Sequence, residues 1–321
     1  MKIWVTGIGG CLGSNLTSTF ASKGYEVGGN DILRKEEAWR LHDIIYPFEY
    51  VWCATEDLDK SLLEKYDVVI DCSIGFPDRP FGTQSPIKTF YDNIQPSFFL
   101  LEKLRRIEKK PHLITPSSFN VFYGLDSPKI TEKTPVQPST LYGYTKASVE
   151  MLVKCYGNTF NIPYTILRVG SAYGEKGRGD ELPHKIILYA LKGKKQFILR
   201  SPKAKRLWTY SGDVSSFYLK LIEHLNEVKG ETLHLAGNRG DQIVENIELY
   251  NIIVSLMDSN MECVEGEYEE GEMVHGKPID FTIDSSYTRK LLNWSPQYDL
   301  GEGLLKTIEW FKECQKKYIY G

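Results

Sequence analysis

Apolar positions come in short blocks along this chain. Residues 2–6 form a β-branched run that stops at Gly7, and an amphipathic segment from Cys11 continues until Gly24 ends it. Strand, tight turn and helix follow from that order. A second apolar run, 25–30, ends in Asp31; 48–53 reads as a third strand and 67–72 as a fourth, apolar on both faces as a central parallel strand requires. Short helical pieces are expected within 34–43 and over 62–66, a long helix over 89–109, and strands at 112–115 and 164–169. Strand and helix alternating at this pitch predict an α/β fold with a doubly wound parallel sheet.

From Gly170 the texture changes to loops with glycine and proline. A helix is expected over 186–191, an extended piece at 196–200, a helix over 213–225, a strand at 232–235 and an acidic stretch over 262–272. This divides the chain into a larger first domain, 1–169, and a smaller α/β domain, 170–321, with 206–236 turning back to the first. The proline- and glycine-rich 76–86 is expected to form a loop at the carboxyl edge of the sheet, where such folds bind ligands. Phe98, Phe99, Leu100 and Leu101 are consecutive and cannot all face one sheet, and the helix carrying Ser148, Met151, Leu152 and Cys155 has the same excess. The expectation is a homodimer in which these two helices meet their symmetry mates; the alternative is cover by the chain's own C-terminal part.

Length and charge narrow the class. A chain of 321 residues buries a large core, and a net charge of −3 with no long basic run gives no footprint for nucleic acid or an anionic membrane. The apolar runs are far too short to span a bilayer, and Gly7 to Gly13 interrupt any apolar leader. The six cysteines are scattered without close pairs, as in a reducing compartment, and the six histidines show no metal spacing. A cytoplasmic protein without a structural metal is expected.

The first turn carries specific chemistry. Gly7 lets the chain turn sharply, Gly10 lets backbone N–H groups approach a pyrophosphate, and Gly13 lets the helix lie close on the strand. The first helical N–H groups then face the phosphates. Asp31, about twenty residues on, can take both ribose hydroxyls, and its charge repels a 2′-phosphate. The pattern predicts a dinucleotide site for NAD rather than NADP. Arg34 and Lys35 just beyond are read as solvated loop charges.

A second constellation sits further along. Ser117 and Ser118 close the strand that begins at His112, and Tyr142 starts a helix with Lys146 one turn later, so both side chains share a face. An ammonium near a phenol favours the phenolate, so Tyr142 is expected to have a lowered pKa and to act as general base or acid. Ser118 would bond the same substrate oxygen.

With these residues together, the chain resembles the extended short-chain dehydrogenase/reductase family, in particular nucleotide-sugar epimerases of the UDP-galactose 4-epimerase type. The likeness runs from Thr6 and the glycine turn through Ser118, Val121 and Phe122, Leu167 and Arg168, Tyr173 and Gly174, to Leu291–Pro296. It implies further cofactor contacts at Cys11, Leu12, Asp57, Leu58, Cys72, Ser73 and Asn93. It implies that the substrate is a nucleotide-diphosphate sugar, with Arg206, Trp208 and His275 or Lys277 at the diphosphate and nucleotide. Ser171, Leu182, Asn120 and Ser118 are the remaining expected substrate contacts.

Departures from the family bear on the reaction. Its dehydratases carry an Asp-Glu pair after the catalytic Ser or Thr, where this chain has Phe119 and Asn120. Its fucose-type epimerase-reductases use a Cys and a His; Asn120 replaces the Cys, although His184 lies near the expected His. The fourth strand often ends His-Leu-Ala-Ala in the family, and here it ends Asp71-Cys72-Ser73-Ile74. The expected reaction is 4-epimerisation through a 4-keto sugar. A single-use 4-ketoreductase is the alternative, and a non-catalytic NAD sensor is a third reading that the intact Ser-Tyr-Lys set disfavours.

Overall fold

In the computed structural model the described residues are 1–73, 85–125, 127, 129–266 and 282–314. Residues 76–84 of the expected 76–86 loop, His275, Lys277 and most of the acidic stretch therefore lie outside the described residues, and Ser85 and Pro86 begin a helix instead. In chain order the first elements are β1 (Lys2–Thr6), α1 (Cys11–Ser22), β2 (Glu26–Asp31), β3 (Glu49–Trp52), α2 (Lys60–Leu63), β4 (Val68–Asp71), α3 (Pro86–Leu104) and β5 (His112–Ser118). They are followed by β6 (Lys129–Ile130), α4 (Leu141–Phe160), β7 (Tyr164–Val169), β8 (Ser171–Tyr173), α5 (Leu182–Leu191), β9 (Gln196–Leu199), β10 (Lys205–Tyr210) and α6 (Ser211–Glu223). The last are β11 (Thr232–Leu235), β12 (Ile243–Glu245), α7 (Asn246–Leu256), β13 (Glu262–Glu265), β14 (Thr282–Ile283), α8 (Ser286–Leu292) and α9 (Leu300–Cys314).

Seven strands form a parallel sheet in the order β11-β7-β5-β4-β1-β2-β3. Side chains alternate across it with a period of two. Ile3, Val5, Val68 and Ile70 join Leu16, Phe20, Phe217 and Leu221 on the α1/α6 face. Trp4, Val69 and Leu113 join Leu100, Leu104, Val149 and Val153 on the α3/α4 face. The order reverses between β1 and β4, and a crevice opens at the carboxyl ends of such neighbours.

A second core lies beyond the sheet, built from Ile186, Leu199, Trp208, Tyr250, Leu304 and Phe311. The strand β10 bridges the two regions, pairing with β8 in parallel and with β12 antiparallel. Its Arg206-Leu207-Trp208 segment faces the crevice from the far side. No described helix is long and apolar enough to cross a membrane.

Candidate active site

The glycine turn is built as its spacing predicts. Gly7 has φ +62°, a left-handed conformation that disfavours side chains, and a Cβ there would meet the Cys72 carbonyl oxygen at 2.4 Å. A Cβ on Gly13 would sit 2.3 Å from the Gly7 carbonyl oxygen, so α1 can pack this closely on β1 only without one. The helix starts at Gly10 with no side-chain cap, which leaves its first N–H groups to a ligand. Asp31 ends β2 with Oδ2 accepting from Gly9 N at 2.8 Å and Oδ1 from Leu33 N at 3.0 Å. Arg34 and Lys35 lie over the rings of Trp52 and Phe48, each at 5.3 Å.

Where the sheet order reverses, a cavity of about 550 Å³ opens between the sheet and the second core. Cys11, Leu12, Cys72, Ser118, Asn120, Tyr142, Lys146, Ser171, Leu182, Arg206 and Trp208 all line it. Residues far apart in the chain that were expected to meet a cofactor or substrate thus share one space. The other expected positions among the described residues lie outside its wall. Ser73 bonds Thr6 and Asp71 next to it, with its N 3.1 Å from Thr6 Oγ1. Asp57 is exposed beyond β3, and Leu58 is buried with Leu63 and Leu100, which leaves only its backbone for an adenine. Asn93 is fully buried on α3 and donates to the Thr89 carbonyl at 2.8 Å, while its Oδ1 has no partner.

The candidate catalytic side chains meet at the N-terminus of α4. Thr140 caps that helix, its Oγ1 accepting from Gly143 N at 3.0 Å. A Cβ on Gly143 would come 2.5 Å from the Asn120 carbonyl oxygen, so α4 abuts the short turn that follows Ser118. Tyr142 and Ser118 both line the cavity, and Ser118 acts on the phenol in the direction of a lower pKa. Lys146 is 4% exposed, donates to the Pro116 carbonyl at 3.2 Å and has its Nζ 5.6 Å from the centre of the Tyr142 ring. An ammonium has three donors, so more than one is left for a ribose.

One expectation is corrected. Burial pushes the Tyr142 phenol up from its ordinary value, against the opposing charge of Arg178 and the smaller effect of Ser118. Burial also pulls the Lys146 amine down to about 8. Desolvation is the largest cause in both groups, and spacing along a helix does not reveal it.

Two buried networks went unrecognised in the sequence. Glu150 accepts from Arg168 through both oxygens, 3.0 Å to Nε and 2.9 Å to Nη2, and also from Ser117 Oγ at 2.6 Å. Glu150 stands one turn beyond Lys146, so the same periodicity that paired Tyr142 with Lys146 pointed to it. Glu175 lines the cavity and accepts from Tyr210 and, at 2.5 Å, from Ser211 Oγ. Its carbonyl takes Asn15 Nδ2 at 3.2 Å, and Arg40 Nε bonds the Lys176 carbonyl at 2.7 Å, so α1 and the segment after β2 hold this loop.

His184 has no ring nitrogen to spare. Gly174 N donates to its Nε2 at 3.1 Å, which places the proton on Nδ1, 2.9 Å from Glu181 Oε2.

A parallel sheet with a glycine turn at its order reversal and a Ser-Tyr-Lys set above it defines an enzyme of the extended short-chain dehydrogenase/reductase class. The profile of the NAD dependent epimerase/dehydratase family matches residues 3–236, and the chain belongs to that family. Its cofactor is NAD, and the residues fit it: a turn that tolerates no Cβ, uncapped helical N–H groups, and a carboxylate closing β2. The uncharacterized UDP-glucose epimerase YtcB of Bacillus subtilis (strain 168) is 27% identical over 326 residues, covering 96% of this chain and 97% of that protein. The dTDP-glucose 4,6-dehydratase of Xanthomonas campestris pv. campestris is 27% identical over 188 residues, 57% of this chain and 52% of that enzyme, so this chain spans about half of that relative's length. The crystal structure of UDP-glucuronic acid 4-epimerase from Bacillus cereus, in complex with UDP-glucuronic acid and NAD, is similar with a TM-score of 0.82 at 25% identity, covering 98% of this chain and 99% of that one.

Proposed function

We propose that this enzyme is an NAD-dependent nucleotide-sugar 4-epimerase. The observation that carries the reading is the identity of residue 120. Ser118, Tyr142 and Lys146 meet in one cavity, and the place a dehydratase gives to an acid holds an amide that bonds Ser118. Elimination of water needs an acid and a base at neighbouring carbons. Phe119 and Asn120 supply neither, and both nitrogens of His184 are engaged inside the protein.

When bound, NAD accepts hydride from the sugar carbon and returns it. The chain's own groups do the rest. Tyr142 takes the C4 hydroxyl proton and gives it back, Ser118 orients that oxygen, and Lys146 holds the nicotinamide ribose and stabilises the phenolate. Arg206, on the opposite wall with Trp208 beside it, receives the nucleotide diphosphate.

The dimer belongs to the same reading. Phe90, Tyr91 and Phe98 on α3 and Tyr144 and Met151 on α4 are exposed, and no described C-terminal element covers them. These faces would pair with those of a second copy, and sedimentation would show twice the chain mass.

Incubation with a panel of UDP-, GDP-, CDP- and dTDP-sugars, followed by NMR, tests the function. A C4 stereoisomer formed without added nicotinamide cofactor is expected. A requirement for stoichiometric reduced cofactor would replace this reading with a ketoreductase.

A further inference from the structure

The end of β4 carries a carboxylate that the proposed reaction does not use. Asp71 closes an otherwise apolar strand, is 1% exposed, and accepts from three hydroxyls: Thr6 Oγ1 at 3.0 Å, Ser73 Oγ at 2.9 Å and Ser97 Oγ at 2.6 Å. It also lines the catalytic cavity. The pairing of Ile70 with Ile114 brings the end of β4 alongside β5 two residues before Pro116. The Pro116 carbonyl is the group that holds the Lys146 ammonium.

The charges around Lys146 sort themselves. From the end of β4 come Asp71 and Cys72, and from α4 come Tyr142 and Glu150. The Glu150 carboxylate is already matched by Arg168 of β7, which bonds both its oxygens. Burial keeps the Cys72 thiol and the Tyr142 phenol protonated at neutral pH. Among the described residues Asp71 accepts hydrogen bonds from neutral hydroxyls alone, and Lys146 is the cation on which its charge acts.

We propose that Asp71 is a positioning residue whose buried carboxylate is the counter-charge that keeps Lys146 an ammonium. The inference rests on Tyr142 and Lys146 being the proton-transfer pair of the proposed epimerase. Its chemistry is simple: a carboxylate near a buried ammonium raises the cost of losing the Lys146 proton. Burial draws the Lys146 amine down, and among the charges that oppose the fall Asp71 comes first. A buried lysine with no counter-charge titrates near ~5–6.

Trace labelling with acetic anhydride over a pH series, read by mass spectrometry on the peptide containing Lys146, titrates this amine in the whole protein without substrate. The unaltered protein should show a midpoint of about 8. A midpoint of ~6 or below overturns the proposal, whatever the variants do. Asp71→Asn should lower the midpoint by ~1 unit or more, and Asp71→Glu, which keeps the charge, should bring it back. An unchanged midpoint in Asp71→Asn also overturns it. Should the midpoint move while the unaltered enzyme converts no nucleotide sugar, the functional reading fails and the role of Asp71 stands. Should the enzyme turn over while the midpoint stays put, the role of Asp71 alone is lost.

Discussion

Asn120 donates twice to the oxygen of Ser118, from its backbone N at 3.2 Å and from Nδ2 at 3.0 Å. Both lone pairs of that hydroxyl are then taken, and its hydrogen is left to donate into the cavity that Tyr142 shares. This direction favours the phenolate. In Asn120→Asp the carboxylate accepts the Ser118 proton instead and leaves the phenolate without that donor. A hydrogen bond to a charged group contributes ~1.5–3 kcal/mol, so kcat should fall roughly 10- to 100-fold with saturating nucleotide sugar. A rate within about two-fold of the unaltered enzyme would show that the bond runs the other way.

Tyr142→Phe removes the proton carrier and leaves the cofactor cradle intact. The expected loss in kcat is ~10²–10⁴-fold, with the same NAD content in the purified protein. In the unaltered enzyme the working pair is the Tyr142 phenolate beside the Lys146 ammonium; because the phenol lies far above the amine, activity rises with pH and levels off near the amine's value, about 8. A rate that goes on rising with pH well past that value would remove the Lys146 charge from the mechanism.

Local chemistry made much of this readable in advance. The strand, glycine turn, helix and acid from β1 to Asp31 are specified within thirty-odd residues, each by a periodicity or a backbone requirement. The strands Tyr164–Val169 and Thr232–Leu235 also have their expected bounds. Misses occurred at prolines. The strand read at 112–115, with Ser117 and Ser118 closing it, runs unbroken through Pro116 as β5, because its pairing with β4 ends at Ile114 and a missing N–H is tolerated on a free edge. α5 begins at Leu182 rather than Ile186, with Pro183 in its first turn, where proline suits a helix. The deeper misses are long-range. Asp71 finds Thr6 and Ser97, and Glu150 finds Arg168, only after the sheet has formed, and no spacing encodes the burial that raises the Tyr142 phenol.

The Glu150–Arg168 pair predicts a large, asymmetric stability effect. Both side chains are under 5% exposed, and the Arg168 guanidinium also lies 4.8 Å over the Phe122 ring. Removing one partner leaves a buried charge unmatched, which costs ~3–5 kcal/mol. Arg168→Met and Glu150→Gln should each lower the urea midpoint sharply, and the double variant should lose clearly less than the sum. Simple additivity would mean the two side chains act independently.

His112 predicts how stability depends on acid. Its Nε2 lies 2.8 Å from Thr165 Oγ1, and that hydroxyl donates to the Val228 carbonyl at 2.8 Å, so the imidazole is the donor. Burial, with a contribution from the charge of Lys229, pulls the folded pKa down to about 4. In the unfolded chain the value is near ~6.5. Between these values the unfolded state binds a proton that the folded state refuses. The stability associated with a neutral His112 is therefore complete above ~6.5 and is lost as pH falls toward the folded value, at ~1.4 kcal/mol per unit. His112→Gln keeps a donor for Thr165 and cannot titrate. Its unfolding free energy, measured in urea at pH 7 and pH 5, should therefore drop by ~2 kcal/mol less than that of the unaltered protein. Equal drops in the two proteins would mean that His112 is already protonated in the fold.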